Sequence, residues 1–176
     1  MKLPFIVADS YKAERLLGEG ANTWVFDAVV TKSTRQLQAG QRIALKLYKV
    51  EQLGELFKQR FTREVYLGQH LSHPNLVKIY DAGSYDVGPF SLPYVVMELV
   101  EGTTLKTLIE NSYSDRYVES EVLSIFQDIL SALHTIHRQG FLHRDIHPEN
   151  IMLTNEGRAL QHNRLLAHLL PSRYAF

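Results

Sequence analysis

The sequence has no cysteine, no long hydrophobic run and no excess of either charge. Without cysteine, the chain cannot form a disulfide scaffold, a thiolate metal site or a cysteine nucleophile. The longest apolar candidate, residues 92–100, is interrupted by Pro93 and Glu98, and it falls short of the roughly 18 residues that a membrane span needs. The 19 basic and 19 acidic residues balance, which argues against a dedicated binder of nucleic acid or acidic membranes.

The N-terminus lacks the pattern of a secretory signal. Residues 1–4 contain one basic residue and only a short apolar stretch, and no small-residue cleavage site follows them. We therefore expect a cytoplasmic protein without a membrane span. The 176 residues, 45% of them hydrophobic, suffice for one globular domain of about 100–150 residues or slightly more.

Residues 11–48 contain three segments with the character of β-strands. Segments 24–31 and 41–48 are rich in β-branched and aromatic residues, and glycines precede the first of them. In segment 41–48, the apolar residues Ile43, Leu45 and Leu47 alternate with Ala44, Lys46 and Tyr48. Because successive side chains of a strand point to opposite faces, Lys46 is predicted to share a face with Ala44.

Residues 51–71 change to a helical period, with apolar residues forming one stripe. Glu64 falls inside this stripe. A carboxylate on a face directed to the core needs a cation or several hydrogen bonds, or it must take up a proton. We therefore expect Glu64 to have a specific partner.

The second half of the chain predicts two further strands and two helices. Segments 76–80 and 94–98 have strand character, and a loop with glycine and proline joins them. A short helix is predicted over residues 104–110. A longer one begins near residue 120 and ends at Gly140, because glycine is a good C-terminal stop.

Four motifs occur in a fixed order, and together they resemble the signature of the protein kinase family. They are Gly18-Glu19-Gly20-Ala21-Asn22-Thr23-Trp24-Val25, Ile43-Ala44-Leu45-Lys46, Glu64, and His143-Arg144-Asp145-Ile146-His147-Pro148-Glu149-Asn150. Two other segments are typical of the same family, His73-Pro74-Asn75-Leu76-Val77 and Met97-Glu98-Leu99-Val100-Glu101-Gly102. The resemblance runs from about Tyr11 to about Arg158 and is to the eukaryotic-like serine/threonine protein kinases.

This resemblance implies an α+β, protein kinase-like fold. It would have a five-stranded antiparallel sheet with one helix in the small lobe, followed by part of a helical large lobe. The implied organisation is an N-terminal extension at 1–10, a partial kinase domain at 11–158 and a tail outside the resemblance at 159–176. Within the domain, residues 11–98 would form the small lobe, 99–102 the hinge and 103–158 the start of the large lobe.

The resemblance also implies an ATP site. Gly18 and Gly20 would let backbone N–H groups approach the phosphates, and Val25 would close over the adenine. Lys46 would contact the α- and β-phosphates, and Glu64 would hold it in position. The adenine slot would be lined by Ala44, Met97 and Met152, with hydrogen bonds from the backbone of Glu98 and Val100.

The implied catalytic residues lie in the last motif. Asp145 would accept or orient the proton of the attacking hydroxyl group, and Asn150 would hold a Mg²⁺ ion. Residues 148–150 resemble serine/threonine rather than tyrosine kinases. His147 replaces the usual lysine near the transferred phosphate, exchanging a permanent cation for a titratable group.

The sequence departs from the family pattern in two further places. Thr23 stands where the third glycine of the loop is expected. After Arg158 no Asp-Phe-Gly motif follows, so the implied magnesium site is incomplete. The composition shift suggests a truncated product or a changed reading frame, and a divergent natural tail is the alternative.

The residues and the resemblance leave three functions open. The first is a serine/threonine kinase that binds ATP and transfers its γ-phosphoryl group to a protein substrate. The second is a nucleotide-binding pseudokinase or regulatory module. The third is a small-molecule phosphotransferase, because the H-x-D-x-H-P pattern through His147 is similar to that class.

A zinc cluster of His134, His137, His143 and His147 is a rival hypothesis for the histidines. Apolar surface of the large lobe is expected to favour self-association.

Overall fold

The computed structural model describes residues 2–49, 61–62, 65–66, 68–111, 119–143 and 146–161. The chain divides into two compact units. The first, here called the sheet unit, comprises Met1–Leu56 and Lys78–Leu99. The second, the helical unit, comprises Phe57–Val77 and Val100–Phe176.

The sheet unit contains a six-stranded antiparallel sheet with the order β1-β2-β3-β4-β6-β5. Its strands are β1 (Phe5–Val7), β2 (Tyr11–Gly20), β3 (Thr23–Val30), β4 (Arg42–Tyr48), β5 (Ile79–Val87) and β6 (Phe90–Met97). Strand β4 lies inside the sheet, between β3 and β6, and the long hairpins β2–β3 and β5–β6 flank it.

The sheet has one strand more than the five that the sequence predicts. The additional strand, β1, comes from the expected N-terminal extension and pairs with β2. Its side chains join the core, since Val7 is fully buried and the ring of Phe5 packs edge-on against Phe26 at a centroid distance of 5.1 Å. Burial of these apolar groups explains why the segment pairs with the sheet.

The core of the sheet unit lies on one face of the sheet. Ile43, Leu45 and Leu47 of β4 are buried in it, together with residues of β2, β3 and β6. The alternation predicted for β4 is therefore observed, and Ala44 and Lys46 lie on the other face. Both sets of side chains are buried, so both faces of β4 are covered.

One polar contact is built into this core. The hydroxyl of Tyr11 donates to Asp81 Oδ2 at 2.6 Å, and the rings of Tyr11 and Tyr94 lie 6.1 Å apart. Burial, together with the negative charge and hydrogen bond of Asp81, raises the pKa of Tyr94 to about 12. Both phenols therefore stay neutral at physiological pH, because the pKa of Tyr11 is raised by burial and by Asp81 as well.

In the described residues, the helical unit contains a three-stranded antiparallel sheet, two helices and a further helical segment. In chain order it contains β7 (Gly102–Thr104), α1 (Leu105–Asn111), α2 (Glu119–Arg138), a 3₁₀ helix (Pro148–Asn150), β8 (Ile151–Thr154) and β9 (Ala159–Gln161). The sheet order is β7-β8-β9. Residues 61–62, 65–66 and 68–70 are helical, within the range where the apolar stripe predicts a helix.

The helices predicted over residues 104–110 and from about 120 to 140 are present as α1 and α2, with small shifts in their bounds. Helix α2 ends just before Gly140, whose positive φ of 77° suits a residue without a side chain. Gly102 is required by packing, because a Cβ at this position would overlap the carbonyl oxygen of Leu153 on the neighbouring strand. The sequence pattern predicts no strand at residues 159–161, where the structure has β9.

Hydrogen bonds from two distant segments hold β9. The Asn75 side-chain amide donates to the carbonyl of Ala159 at 2.9 Å, and the Ala159 N–H donates to Asp128 Oδ2 at 2.9 Å. The ring of His73 accepts a bond from the N–H of Asn75, and its other nitrogen lies 3.1 Å from the hydroxyl of Ser131 on α2. The His73-Pro74-Asn75 motif thus joins the long helix to the last strand.

In the part of the chain that the structure describes, no helix combines the length and apolar character that a membrane-spanning segment requires.

The polar contact in the sheet core can be tested with Tyr11→Phe. We expect this variant to lower the free energy of unfolding by about 1–2 kcal/mol, because Asp81 loses the hydrogen-bond donor of the buried Tyr11 side chain. Urea unfolding of the full chain measures this. Tyr85→Phe is the matched control, since it also removes a hydroxyl but keeps the ring stacked on Phe5. Equal costs for the two variants would contradict a structural role for the Tyr11–Asp81 bond.

Candidate active site

The glycine motif forms the tip of the β2–β3 hairpin. Ala21 and Asn22 make the turn, and Gly20 pairs with Thr23 across it. A Cβ placed on Gly18 would meet no atom within 4 Å, so a ligand could approach the backbone there. Thr23, which stands where the family pattern has a third glycine, is the first residue of β3. Threonine is well suited to a strand.

The register of three strands places four of the predicted site residues on one face of the sheet. Lys46 of β4 lies opposite Val25 of β3 and Val95 of β6. Ala44, two residues before Lys46 in β4, lies opposite Met97. Because directly paired residues share a face, Val25, Ala44, Lys46 and Met97 are neighbours on the face away from the core.

Lys46 is unusually well buried for a lysine, with only 4% of its surface exposed. Its ammonium group lies 4.7 Å from the centroid of the Tyr48 ring, two residues along the strand. An ammonium ion on the face of an aromatic ring is attracted by the ring quadrupole. Glu64, the predicted partner of Lys46, lies outside the described residues.

The sequence motifs do not predict the role of Asp27, which lies in the same row as Ala44 and Met97. Asp27 is 2% exposed and receives hydrogen bonds from two arginines, Arg15 Nη2 at 2.9 Å and Arg42 Nε at 3.1 Å. Burial opposes ionisation of the carboxylate, but the bonds and charges of the two guanidinium groups outweigh it and lower the pKa of Asp27. The signal in the sequence is that Asp27 is the one charged residue of β3, among mostly apolar neighbours.

Glu98, which follows β6, is hydrogen-bonded to Lys78, which precedes β5. The backbone N–H of Glu98 donates to the carbonyl of Lys78 at 2.9 Å, and the N–H of Lys78 donates to the Glu98 side chain at 3.3 Å. Of the two backbone groups of Glu98, the N–H is therefore already engaged. Val100, the other residue predicted to offer backbone hydrogen bonds, is half-buried and belongs to the helical unit.

The helical unit brings together two of the predicted catalytic residues. Asn150 ends the 3₁₀ helix and is fully buried, and its side-chain nitrogen lies 2.6 Å from Nε2 of His147. The backbone of the two residues is also joined, since the Asn150 N–H donates to the His147 carbonyl at 2.9 Å. The 3₁₀ turn thus determines where the asparagine side chain points.

Other predicted residues of this unit occupy defined or undescribed positions. Met152 lies in β8, paired with Thr104 and Leu160. His143 is buried, and Asp145 lies outside the described residues. The described ranges contain no group of three or more histidine, aspartate or glutamate side chains that could hold a metal ion, so the zinc hypothesis gains no support there.

A surface salt bridge that the sequence motifs do not predict connects α1 with the 3₁₀ helix. Lys106 Nζ of α1 lies 2.5 Å from the Glu149 carboxylate, and 3.9 Å from Glu110 one turn along α1. The hydrogen bond and charge of Glu149 raise the pKa of Lys106. The helix start and the segment next to Asn150 are thereby linked.

Comparison with known proteins identifies the family. The family model described as protein kinase domain matches residues 11–163. The chain therefore belongs to the protein kinase family. Members of this family generally use ATP and Mg²⁺.

The curated relatives are named as bacterial serine/threonine-protein kinases. The chain is 33% identical over 156 residues to a probable serine/threonine-protein kinase of Corynebacterium efficiens, covering 88% of this chain and 22% of that protein. It is 35% identical over 151 residues to PksC of Streptomyces coelicolor, covering 84% and 26%, and 30% identical over 155 residues to PknB of Mycobacterium tuberculosis, covering 88% and 24%. The chain thus spans about a quarter of the length of these relatives.

A solved structure shows the same fold. The crystal structure of a variant of the PknI kinase domain of Mycobacterium tuberculosis matches with a TM-score of 0.75 and 25% identity. The match covers 93% of this chain and 62% of that chain. The predicted α+β, protein kinase-like fold is therefore confirmed.

Asp27 generates a prediction about the dependence of stability on pH. We expect Asp27→Asn to lower the free energy of unfolding at pH 7 by about 1–3 kcal/mol, because two charge-assisted hydrogen bonds are weakened. The folded-state pKa of Asp27 is depressed, so its contribution is complete above the unfolded pKa of about 4 and is lost as pH falls through the folded value.

Urea unfolding at pH 7, 5 and 3 measures this difference. The gap between the unsubstituted chain and Asp27→Asn should be constant from pH 7 to 5 and shrink toward pH 3. Asp86→Asn, at an exposed position of β5, is the control and should change the stability by less than about 0.5 kcal/mol at pH 7. A gap that widens on acidification would contradict the prediction.

Proposed function

We propose that this chain binds ATP and acts as a serine/threonine protein kinase that transfers the γ-phosphoryl group to protein hydroxyls. The observation that carries this proposal is the shared face of Val25, Ala44, Lys46 and Met97. These residues come from three motifs on different strands, and the sheet register makes them neighbours. A buried cation next to small and apolar side chains suits a ligand with a flat base and an anionic chain.

The sheet unit supplies most of the proposed nucleotide contacts. Backbone N–H groups near Gly18 and Gly20 face the phosphates, and Lys46 binds the α- and β-phosphate oxygens. Val25, Ala44 and Met97 contact the base. Because its N–H already donates to Lys78, Glu98 offers its carbonyl oxygen to the base. The resemblance to the family also assigns nucleotide contacts to Val100 and Met152, and these two assignments stay predictions from the sequence.

The proposed chemistry depends on the last motif. The substrate oxygen forms a bond to the γ-phosphorus, the bond from phosphorus to the bridging oxygen breaks, and ADP leaves. Asp145 accepts the proton of the substrate hydroxyl, and Glu64 holds Lys46 in position. The nitrogen of the Asn150 amide faces His147, so the oxygen of this amide is the atom that would reach Mg²⁺.

A nucleotide-binding pseudokinase or regulatory module is the second candidate. The sequence from Ala159 to Phe176 contains no aspartate, where the family pattern has the aspartate that binds the main Mg²⁺ ion. In this case Lys46 and the glycine hairpin would still bind nucleotide, and phosphoryl transfer would be absent. Small-molecule phosphotransfer, with His147 in place of the usual lysine, is the third.

Two variants separate binding from transfer. We expect Lys46→Met to raise the ATP dissociation constant at least tenfold, about 1.4 kcal/mol, because the phosphates lose their cation. We expect Asp145→Asn to keep ATP binding and to abolish transfer, because the proton acceptor is removed. Isothermal titration with ATP and transfer of labelled phosphate from ATP to casein measure the two steps. Lys12→Met, on an exposed face of β2, is the control for lost charge.

The outcomes distinguish the candidates. Transfer to protein that Asp145→Asn abolishes supports the kinase, whereas ATP binding without transfer to any acceptor supports the pseudokinase. Transfer to amino-alcohol or sugar acceptors but not to casein supports small-molecule phosphotransfer. If the unsubstituted chain fails to bind ATP at concentrations that saturate ordinary kinases, all three candidates are wrong.

We also propose that the chain self-associates through helix α2. Leu123, Phe126 and Leu130 lie on one side of this helix at i, i+3 and i+7, and each is more than half exposed. Contiguous apolar surface of this kind favours association. We expect sedimentation velocity to show concentration-dependent dimers that Phe126→Lys weakens at least tenfold, about 1.4 kcal/mol. Ile6→Lys, at an exposed position of β1, is the control and should leave association unchanged.

A further inference from the structure

Lys49 follows β4 directly and contacts the tip of the glycine hairpin. Its ammonium group forms an ion pair with the carboxylate of Glu19 and lies 2.9 Å from the carbonyl oxygen of Gly20. Lys49 is not part of the motifs described above. The same ammonium group lies 4.8 Å from the ring centroid of Trp24. Three groups on both arms of the hairpin therefore converge on one cation.

The backbone of Lys49 strengthens this attachment. Its N–H donates to the carbonyl of Asn22 in the turn at 2.8 Å. The hydrogen bond and charge of Lys49, together with a hydrogen bond from the Trp24 side chain, lower the pKa of Glu19. Glu19 is therefore ionised at physiological pH, and Lys49 is its counter-ion.

A phosphate-binding loop has to present N–H groups and keep its own negative groups away from the ligand. The carboxylate of Glu19 and the carbonyl of Gly20 are the two negative groups of this hairpin that Lys49 binds. Without the cation, the negative charge of Glu19 would repel the like charges of a triphosphate bound at the hairpin.

We propose that Lys49 is a positioning residue for the glycine hairpin, which anchors the Gly20 carbonyl and compensates the charge of Glu19 so that the hairpin accepts the triphosphate of a nucleotide. This inference rests on the proposed nucleotide-binding function. Lys49 acts through the hairpin and not on the reacting atoms. It differs in this respect from Lys46, which lies on the opposite side of Tyr48 in the chain and belongs to the shared face of the sheet.

The first experiment measures the anchor without nucleotide. Amide hydrogen exchange of residues 19–23 is compared between the unsubstituted full chain and Lys49→Met. We expect exchange in this segment to be about tenfold faster in the variant, because a charge-assisted hydrogen bond and a cation–π contact are lost. Lys12→Met is the matched control. It also removes a lysine that forms an ion pair, with Glu14 at 2.7 Å, but both residues lie in β2 away from the turn of the glycine hairpin.

The second experiment separates phosphate from base recognition. Trp24 is the only tryptophan of the chain, so its fluorescence reports directly on the hairpin during titration. We expect Lys49→Met to weaken ATP binding about tenfold and adenosine binding less than about twofold, because only ATP carries the repelled charges. Lys49→Arg should restore ATP affinity to within about threefold, since it keeps the cation. Adding Glu19→Gln to Lys49→Met should recover part of the lost affinity.

These outcomes separate the inference from the function on which it rests. If the unsubstituted chain binds ATP and Lys49→Met changes neither the exchange rates nor the ATP affinity, the role of Lys49 is wrong and the function stands. If ATP and adenosine weaken equally, the defect is a general loss of structure and the role of Lys49 is also wrong. Absence of ATP binding by the unsubstituted chain overturns the function and, with it, this inference.

Discussion

The alternation of side chains along β4 is the constraint on which the rest of the sheet unit depends. Ile43, Leu45 and Leu47 are buried in the core, because removing their apolar surface from water stabilises the fold. With these three directed to one face, Lys46 is necessarily directed to the other. The hydrophobic core thus determines the position of a cation that the core itself cannot accommodate.

The same strand carries the proposed site through its two neighbours. Pairing with β3 brings Val25 and Asp27 beside it, and pairing with β6 brings Met97. A slip of one residue in either register would move these side chains to the core face. Asp27 is a polar group within this arrangement, and its ion pairs with Arg15 and Arg42 link β2, β3 and β4. The register of the strands and the ion pairs of Asp27 therefore both favour the same alignment of β3 with β4.

The helical unit uses hydrogen bonds for a similar purpose. Strand β9 is only three residues long, and it is held on one side by Asn75 and on the other by Asp128. These bonds connect segments 84 and 31 residues apart in the chain. They anchor the β8–β9 hairpin, which follows the 3₁₀ helix with Asn150 directly in the chain, to Asn75 and to helix α2.

Much of the fold follows from local pattern. Strands β3 and β4, the helices α1 and α2 and the stop at Gly140 agree with the predicted segments because each has a strong period or a clear terminal signal. Strands β1 and β9 do not follow in this way. Each has three residues, too few to show a period, and each forms only because a longer strand offers it hydrogen bonds and a buried surface.

The candidate site divides along the same line. The motifs identify Gly18, Lys46 and Asn150 because residue type and spacing survive in the linear sequence. The contacts Asp27–Arg15, Lys49–Gly20 and Lys106–Glu149 join residues 12, 29 and 43 positions apart, and no local pattern indicates which partners will meet.

By itself, the sequence determined the kinase family, the order of the main elements and the two faces of β4, since these depend on residue type and period. Only the tertiary structure decided the sixth strand, the ion pairs of Asp27 and the attachment of the glycine hairpin to Lys49. These depend on register and chain packing, which bring together side chains that no local rule relates.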